Sequence, residues 1–152
     1  MIIFTLNIAG GNSTALVYSC VSKKKIIKEL LREVEQIGFI SKYKGSPKLT
    51  MMGEELCINA TLAFASQLGK KGNLFTSGTR KSIKFENKGE FTKIEIDLNY
   101  KINNNIVLFE GIGFIFLKNK KQISKKYLSN LAKEYNLPAF GVIIYKKNKI
   151  EP

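Results

Sequence analysis

The sequence contains no histidine and no tryptophan, and only two cysteines, Cys20 and Cys57, in 152 residues. Without histidine there is no imidazole to act as a general base near neutral pH. Two isolated cysteines give neither a disulfide framework nor metal-ligand spacing, so neither zinc nor another metal is expected. Arginine is nearly absent too. Of 25 basic residues, all but Arg32 and Arg80 are lysines. No apolar run approaches the length of a membrane span, and no charged-then-apolar leader opens the chain, so a soluble, cytoplasmic protein is expected.

The net charge of +13 raises the question of nucleic acid. Phosphate binding through counterion release would favour such a charge. However, base-edge readout prefers arginine's bidentate fork, and the lysines are scattered at 23–25, 70–71, 118–121, 125–126 and 146–149. No nucleic-acid-binding motif accompanies them. They read as solvated surface, with a basic nucleic-acid-binding domain kept as a third-rank alternative.

The elements expected from pattern begin with β-rich strands at 2–8 and 14–20, broken by the turn "AGGNS". A helix follows from the N-cap Ser22 to about Ile37, since Ile26, Ile27, Leu30, Leu31, Val34 and Ile37 recur at helical spacing and Gly38 ends the run. "SKYKGSPK" reads as a loop and 49–52 as a short strand. A second helix spans 57–68 and is apolar or small most of the way round, which marks a buried helix. Strands are expected at 73–77, 82–86, 91–98, 106–109 and 112–117, then a helix from Ser124 to about Tyr135 and a last strand at 140–145. This is an α+β plan, a mostly antiparallel sheet wrapped around a buried central helix. Residues 1–105 are expected to form a first lobe carrying the cysteine helix, and residues 106–152 the start of a second, incomplete lobe.

Cys57 stands at the mouth of the apolar helix. Free cysteine is commonly inert core. A helix N-terminus, however, presents unpaired N–H groups and a positive dipole end, which favour a thiolate and can hold an anion on the amides of Ile58, Asn59 and Ala60. Both readings of Cys57 stand on the local residues. Cys20, at a strand end, reads as packing.

Two separated motifs resemble the cofactor-independent amino-acid racemases and epimerases of the diaminopimelate epimerase fold, in particular the histidine-racemase-like branch. The first is "GNSTALV", with Gly11, Asn12, Thr14, Leu16 and Val17. The second is Met52-Gly53-Glu54-Glu55-Leu56-Cys57-Ile58-Asn59-Ala60-Thr61, against a family pattern close to M-G-G-E-F-C-G-N-A-T. "TSG" at 76–78 falls where the family ends a strand after the cysteine helix, and "GIGFIFL" and "LPAFGVIIY" are similar to the start of its second lobe. The resemblance implies acid–base chemistry without a cofactor. One cysteine removes the substrate's α-proton and a second, from the other lobe, delivers a proton to the opposite face, while helix-end amides hold the α-carboxylate. On that resemblance Cys57 is one acid–base thiol, Ile58 and Asn59 supply backbone N–H groups, and Asn12 binds the substrate backbone.

The sequence departs from the pattern at Ile58 and Glu54, which replace glycines, and at Leu62, which replaces an arginine. The second cysteine motif of the family has no counterpart here. The expected function is therefore half of, or a degenerate relative of, such a racemase. The alternative is a non-catalytic module that binds a small ligand or a protein. The expected partners are an amino-acid-like ligand and either a second copy of the chain or a complementary C-terminal lobe.

Overall fold

A computed structural model describes residues 2–7, 12–18, 22–118, 123–146 and 149–151. Cys20 and the first part of the "AGGNS" turn lie outside them. The described chain divides into two compact units, Met1–Asp97 and Leu98–Pro152.

In the first unit β1 (Ile2–Asn7) pairs antiparallel with β2 (Ser13–Tyr18), and α1 (Lys23–Leu30) crosses over to β3 (Gln36–Tyr43), which runs parallel to β2. Next come β4 (Ser46–Met51), α2 (Ile58–Ser66), β5 (Lys71–Thr76), β6 (Ile83–Lys88) and β7 (Phe91–Glu95), completing a seven-stranded sheet in sequence order. Alternate residues of each strand face opposite sides. Ala15, Val17, Ile37 and Phe39 pack with Ile26 of α1 and with Val34. Leu16, Leu49 and Met51 pack on the other side with Ala60, Phe64 and Ala65 of α2, together with Leu74, Ile83 and Phe85. Because α2 is apolar nearly all round, it can be covered on several sides, and it contacts β2, β3, β4, β6 and β7.

One expected element is corrected. The helix from Ser22 ends at Leu30, not at Ile37, and the region from Gln36 to Tyr43 is strand rather than helix tail and loop. Glu33 and Val34 both donate backbone bonds to the Leu30 carbonyl, closing the helix in a turn. Ile37 is then buried by pairing with Ala15 of β2. Gly38 lies mid-strand, where a Cβ would run into the Leu49 side chain.

The second unit is a five-stranded sheet ordered β12-β11-β10-β9-β8. Its strands are β8 (Tyr100–Asn103), β9 (Ile106–Phe109), β10 (Ile112–Lys118), β11 (Phe140–Lys146) and β12 (Lys149–Glu151), with α3 (Lys125–Glu134) between β10 and β11. β8 falls in a stretch expected to be turn. The run β9–β10–α3–β11–β12 repeats the topology of β1–β2–α1–β3–β4. In each, an antiparallel pair is followed by a helical crossover to a parallel strand and then another antiparallel strand. Leu131 of α3 packs with Ile106 and Ile115. On the opposite face of that sheet Phe109 meets Phe114 edge-on at 6.1 Å, and Tyr100 and Ile102 are 63% and 66% exposed.

Candidate functional site

The site is built where β2, β3 and the start of α2 converge in the first unit. The chain reaches it through a tight segment after β4. Glu54, at φ 62°, donates its N–H to Met51 O at 3.0 Å. Ser77 clamps this segment from the neighbouring turn, since its hydroxyl accepts from Met51 N at 2.9 Å and donates to Glu55 O at 2.8 Å. Gly78, at φ 77°, lies against the backbone of Leu56, where a Cβ would collide. The "TSG" stretch thus supports the loop that delivers the cysteine.

Cys57 is the N-cap of α2. Its backbone is extended and its Sγ accepts from Ala60 N at 3.5 Å. Its carbonyl receives both the N–H and the hydroxyl of Thr61, at 3.0 and 2.7 Å. The thiol donates to Gln36 Oε1 at 3.3 Å, and the same oxygen accepts from Thr14 Oγ1 at 3.2 Å. A second chain of bonds runs beside this one. Asn59 Nδ2 donates to Asn12 Oδ1 at 2.7 Å, and Asn12 Nδ2 donates to Glu35 Oε2 at 2.7 Å. Ser13 ties the same strand ends together, its hydroxyl accepting from Glu35 N at 3.0 Å.

The structure therefore brings together three of the four residues singled out in the sequence, Asn12, Cys57 and Asn59. Ile58 is on the same turn, but its side chain is 42% exposed. Glu35 and Gln36 have no part in the sequence reading, and Thr14 enters it only as a member of the "GNSTALV" motif. Placing 35–37 on a helix hid the first two, and the β-forming run of Ile37, Phe39 and Ile40 directly after Gln36 was the signal that could have revealed the strand. Both polar atoms of the Asn12 side chain are engaged within the protein: Oδ1 accepts from Asn59, and Nδ2 donates to Glu35.

The electrostatics correct one expectation. The helix end alone would lower the thiol pKa, yet the pKa of Cys57 is raised above its ordinary value. Burial is the leading cause, and the nearby Glu55 carboxylate adds to it, while the Ala60 and Asn59 amides pull the other way. Glu55 Oε2 is itself buried and has no hydrogen-bond partner among the described residues. In this state Cys57 is held as a thiol.

Among the described residues no group of three or more His, Cys, Asp or Glu side chains is placed to hold a metal ion, and no helix is long and apolar enough to cross a membrane. A groove of ≈ 500 Å³ over β5–β7 is lined by Lys71, Lys84 and Lys93, with Glu86 and Glu95 between them. Cross-strand partners there alternate in sign, Lys71 with Glu86 and Lys84 with Glu95. It offers no field of one sign for a polyanion.

No family model matches the chain. It is 33% identical over 162 residues to a histidine racemase of Fusobacterium nucleatum subsp. nucleatum, with 84% of this chain and 57% of that protein covered. A histidine racemase from another strain of that organism is 27% identical over 158 residues, covering 84% of this chain and 58% of its own length. The chain thus spans somewhat more than half the length of these relatives. Among solved structures it superposes on a phenazine biosynthesis PhzC/PhzF protein from Clostridium difficile with a TM-score of 0.50 at 17% identity, covering 91% of this chain and 64% of the other. The chain is similar in sequence to histidine racemases, and it shares its α+β, sheet-dominated fold with the PhzC/PhzF protein.

Proposed function

We propose that this chain supplies one half of a cofactor-independent amino-acid racemase or epimerase site, with Cys57 as the group that exchanges a proton with the substrate's α-carbon. The observation that carries this reading is the Cys57 N-cap. A single turn presents a thiol beside the backbone N–H groups of Ile58 and Asn59, which can hold an α-carboxylate next to the reacting carbon. Similarity to histidine racemases supports the reaction class, and it makes histidine the first substrate to test.

Two-base inversion needs one group that is protonated and one that is not. Burial and Glu55 hold the Cys57 proton in place, so Cys57 takes the acid role, delivering its proton to the carbanion as a partner base removes the α-proton from the opposite face. In the reverse direction it takes a proton back. The partner base comes from a complementary lobe or a second copy of the chain. The exposed Tyr100 and Ile102 on the sheet face opposite α3 support an assembly of this kind. A working thiol also needs a reducing compartment, which favours the cytoplasm. The raised thiol pKa and the branched Ile58 in the carboxylate seat favour a second reading, a module that binds an amino-acid-like ligand without turnover.

The test is α-hydrogen exchange in D2O, followed by mass and chiral analysis of a panel of amino acids that includes histidine. The chain is assayed alone and with a polypeptide supplying the remaining lobe of a relative. Deuterium incorporation with inversion that requires both partners, and is lost in Cys57→Ser, supports the proposal. Binding without exchange in any combination moves the chain to the second reading.

A further inference from the structure

Two side-chain amides meet at the site, and their surroundings differ in kind. Asn12 is locked. Its nitrogen faces the Glu35 carboxylate, which when ionised only accepts, so the amide has one workable orientation, and Asn59 must then donate to the remaining oxygen. Gln36 is not locked in this way. Its oxygen is held by the Cys57 thiol at 3.3 Å and the Thr14 hydroxyl at 3.2 Å. A hydroxyl both donates and accepts. A sulfur donates as thiol and only accepts as thiolate. Neither partner dictates which end of the Gln36 amide it meets.

We propose that Gln36 is the positioning residue of the Cys57 proton switch: its amide offers oxygen to the thiol and, turned end for end, nitrogen to the thiolate, with the Thr14 hydroxyl pairing with either end. The amide itself neither gains nor loses a proton. When the S–H proton leaves for a ligand carbon or for water, the carbonyl oxygen facing sulfur becomes a repulsive neighbour, and the half-turn replaces it with an N–H donor. Thr14 is fully buried on β2, so its Oγ1 stays within reach while the hydroxyl hydrogen reorients. The lone pairs of that oxygen then accept from Nε2. Gln36 sits on a central strand between β2 and β4, which fixes its backbone and leaves the side-chain torsion as the moving part.

The inference takes its catalytic meaning from the acid–base reading of Cys57, but its test reads the thiol itself and needs no turnover. The pH midpoint of iodoacetamide labelling at Cys57 is followed in the folded chain, resolved from Cys20 by peptide mass mapping. Gln36→Glu supplies acceptors only, so it serves the thiol and opposes the thiolate. Its midpoint is expected to rise by about one pH unit, a tenfold slower labelling near neutrality. Gln36→Leu, which serves neither form, is expected to raise it by less. Thr14→Val, which removes the pairing hydroxyl, should raise the midpoint, and Thr14→Ser should restore it. Near-UV circular dichroism establishes that each variant is folded, and the Thr14 pair carries the test if either Gln36 variant is not. An unchanged or lowered midpoint in folded Gln36→Glu, or identical midpoints in Thr14→Val and Thr14→Ser, overturns the proposal. Either result leaves the exchange assay, and the reading it tests, standing separately.

Discussion

Asn87 on β6 closes the far end of the helix whose near end Cys57 caps. Its Nδ2 reaches the carbonyls of Ala65 at 2.9 Å, Gly69 at 3.0 Å and Leu68 at 3.3 Å, and its Oδ1 accepts from Thr92 at 2.8 Å. The last carbonyls of a helix have no partner within it, so this one side chain anchors α2 to the sheet at its C-terminal end. Asn87→Ala is expected to cost about 1–2 kcal/mol in urea unfolding. Asn87→Asp should cost more, because an ionised carboxylate would face carbonyl oxygens. A loss under a few tenths in both would show that solvent satisfies those carbonyls equally well.

The raised thiol pKa predicts slow chemistry at neutral pH. Cys57 in the folded chain should alkylate more slowly at pH 7 than an unfolded thiol, whose pKa is about 8.5. Glu55→Gln removes the second cause of the shift, so its labelling midpoint should fall and its rate at pH 7–8 should rise. Folding is linked to the same shift. A pKa that is higher in the folded state contributes stability fully present below the unfolded value and lost as pH rises through the folded one. Stability of the wild type relative to Cys57→Ala should therefore shrink as pH rises above the unfolded thiol's value of about 8.5. Thermal unfolding across that range measures it, and a difference that grows with pH would contradict the assigned direction.

Gly78 predicts a different failure. Its φ of 77° and its close approach to Leu56 both exclude a side chain. Gly78→Ala should destabilise by about 1–3 kcal/mol from the backbone alone. It should also loosen the Glu54–Cys57 segment, so Cys57 labelling should accelerate even where the protein remains folded. Destabilisation with unchanged labelling would mean that the strain is absorbed elsewhere.

Ile58 bears on the carboxylate seat. Replacing it with glycine removes a partly exposed branched side chain from the first turn of α2. The cost in helix stability is expected to be about 0.5–1 kcal/mol. In exchange, an amino acid should protect Cys57 from alkylation at lower concentration than in the wild type. Equal protection in both chains would show that Ile58 does not obstruct the seat.

The sequence alone determined the local identity of the site. An apolar and small-residue run after Gly53 makes a helix that needs cover on all sides, and a cysteine directly before it must fall on the helix mouth, because capping geometry is set by neighbours in the chain. The expected strands at 106–109, 112–117 and 140–145 came from the same short-range signals, β-branched and aromatic runs bounded by turns. Tertiary structure decided what a period of three or four could not. Val34 and Ile37 continue the spacing of α1, yet Ile37 belongs to a strand because pairing with Ala15 buries it completely. That single reassignment carries Gln36 from a helix to the side of Cys57, and Glu35 to Asn12. β8 was equally hidden, since its residues are all exposed and only pairing with β9 makes them a strand. The charge state of the thiol was decided the same way. The helix dipole is a property of local sequence and points toward a thiolate, whereas desolvation and the Glu55 field depend on what the folded chain packs around the sulfur, and these prevail.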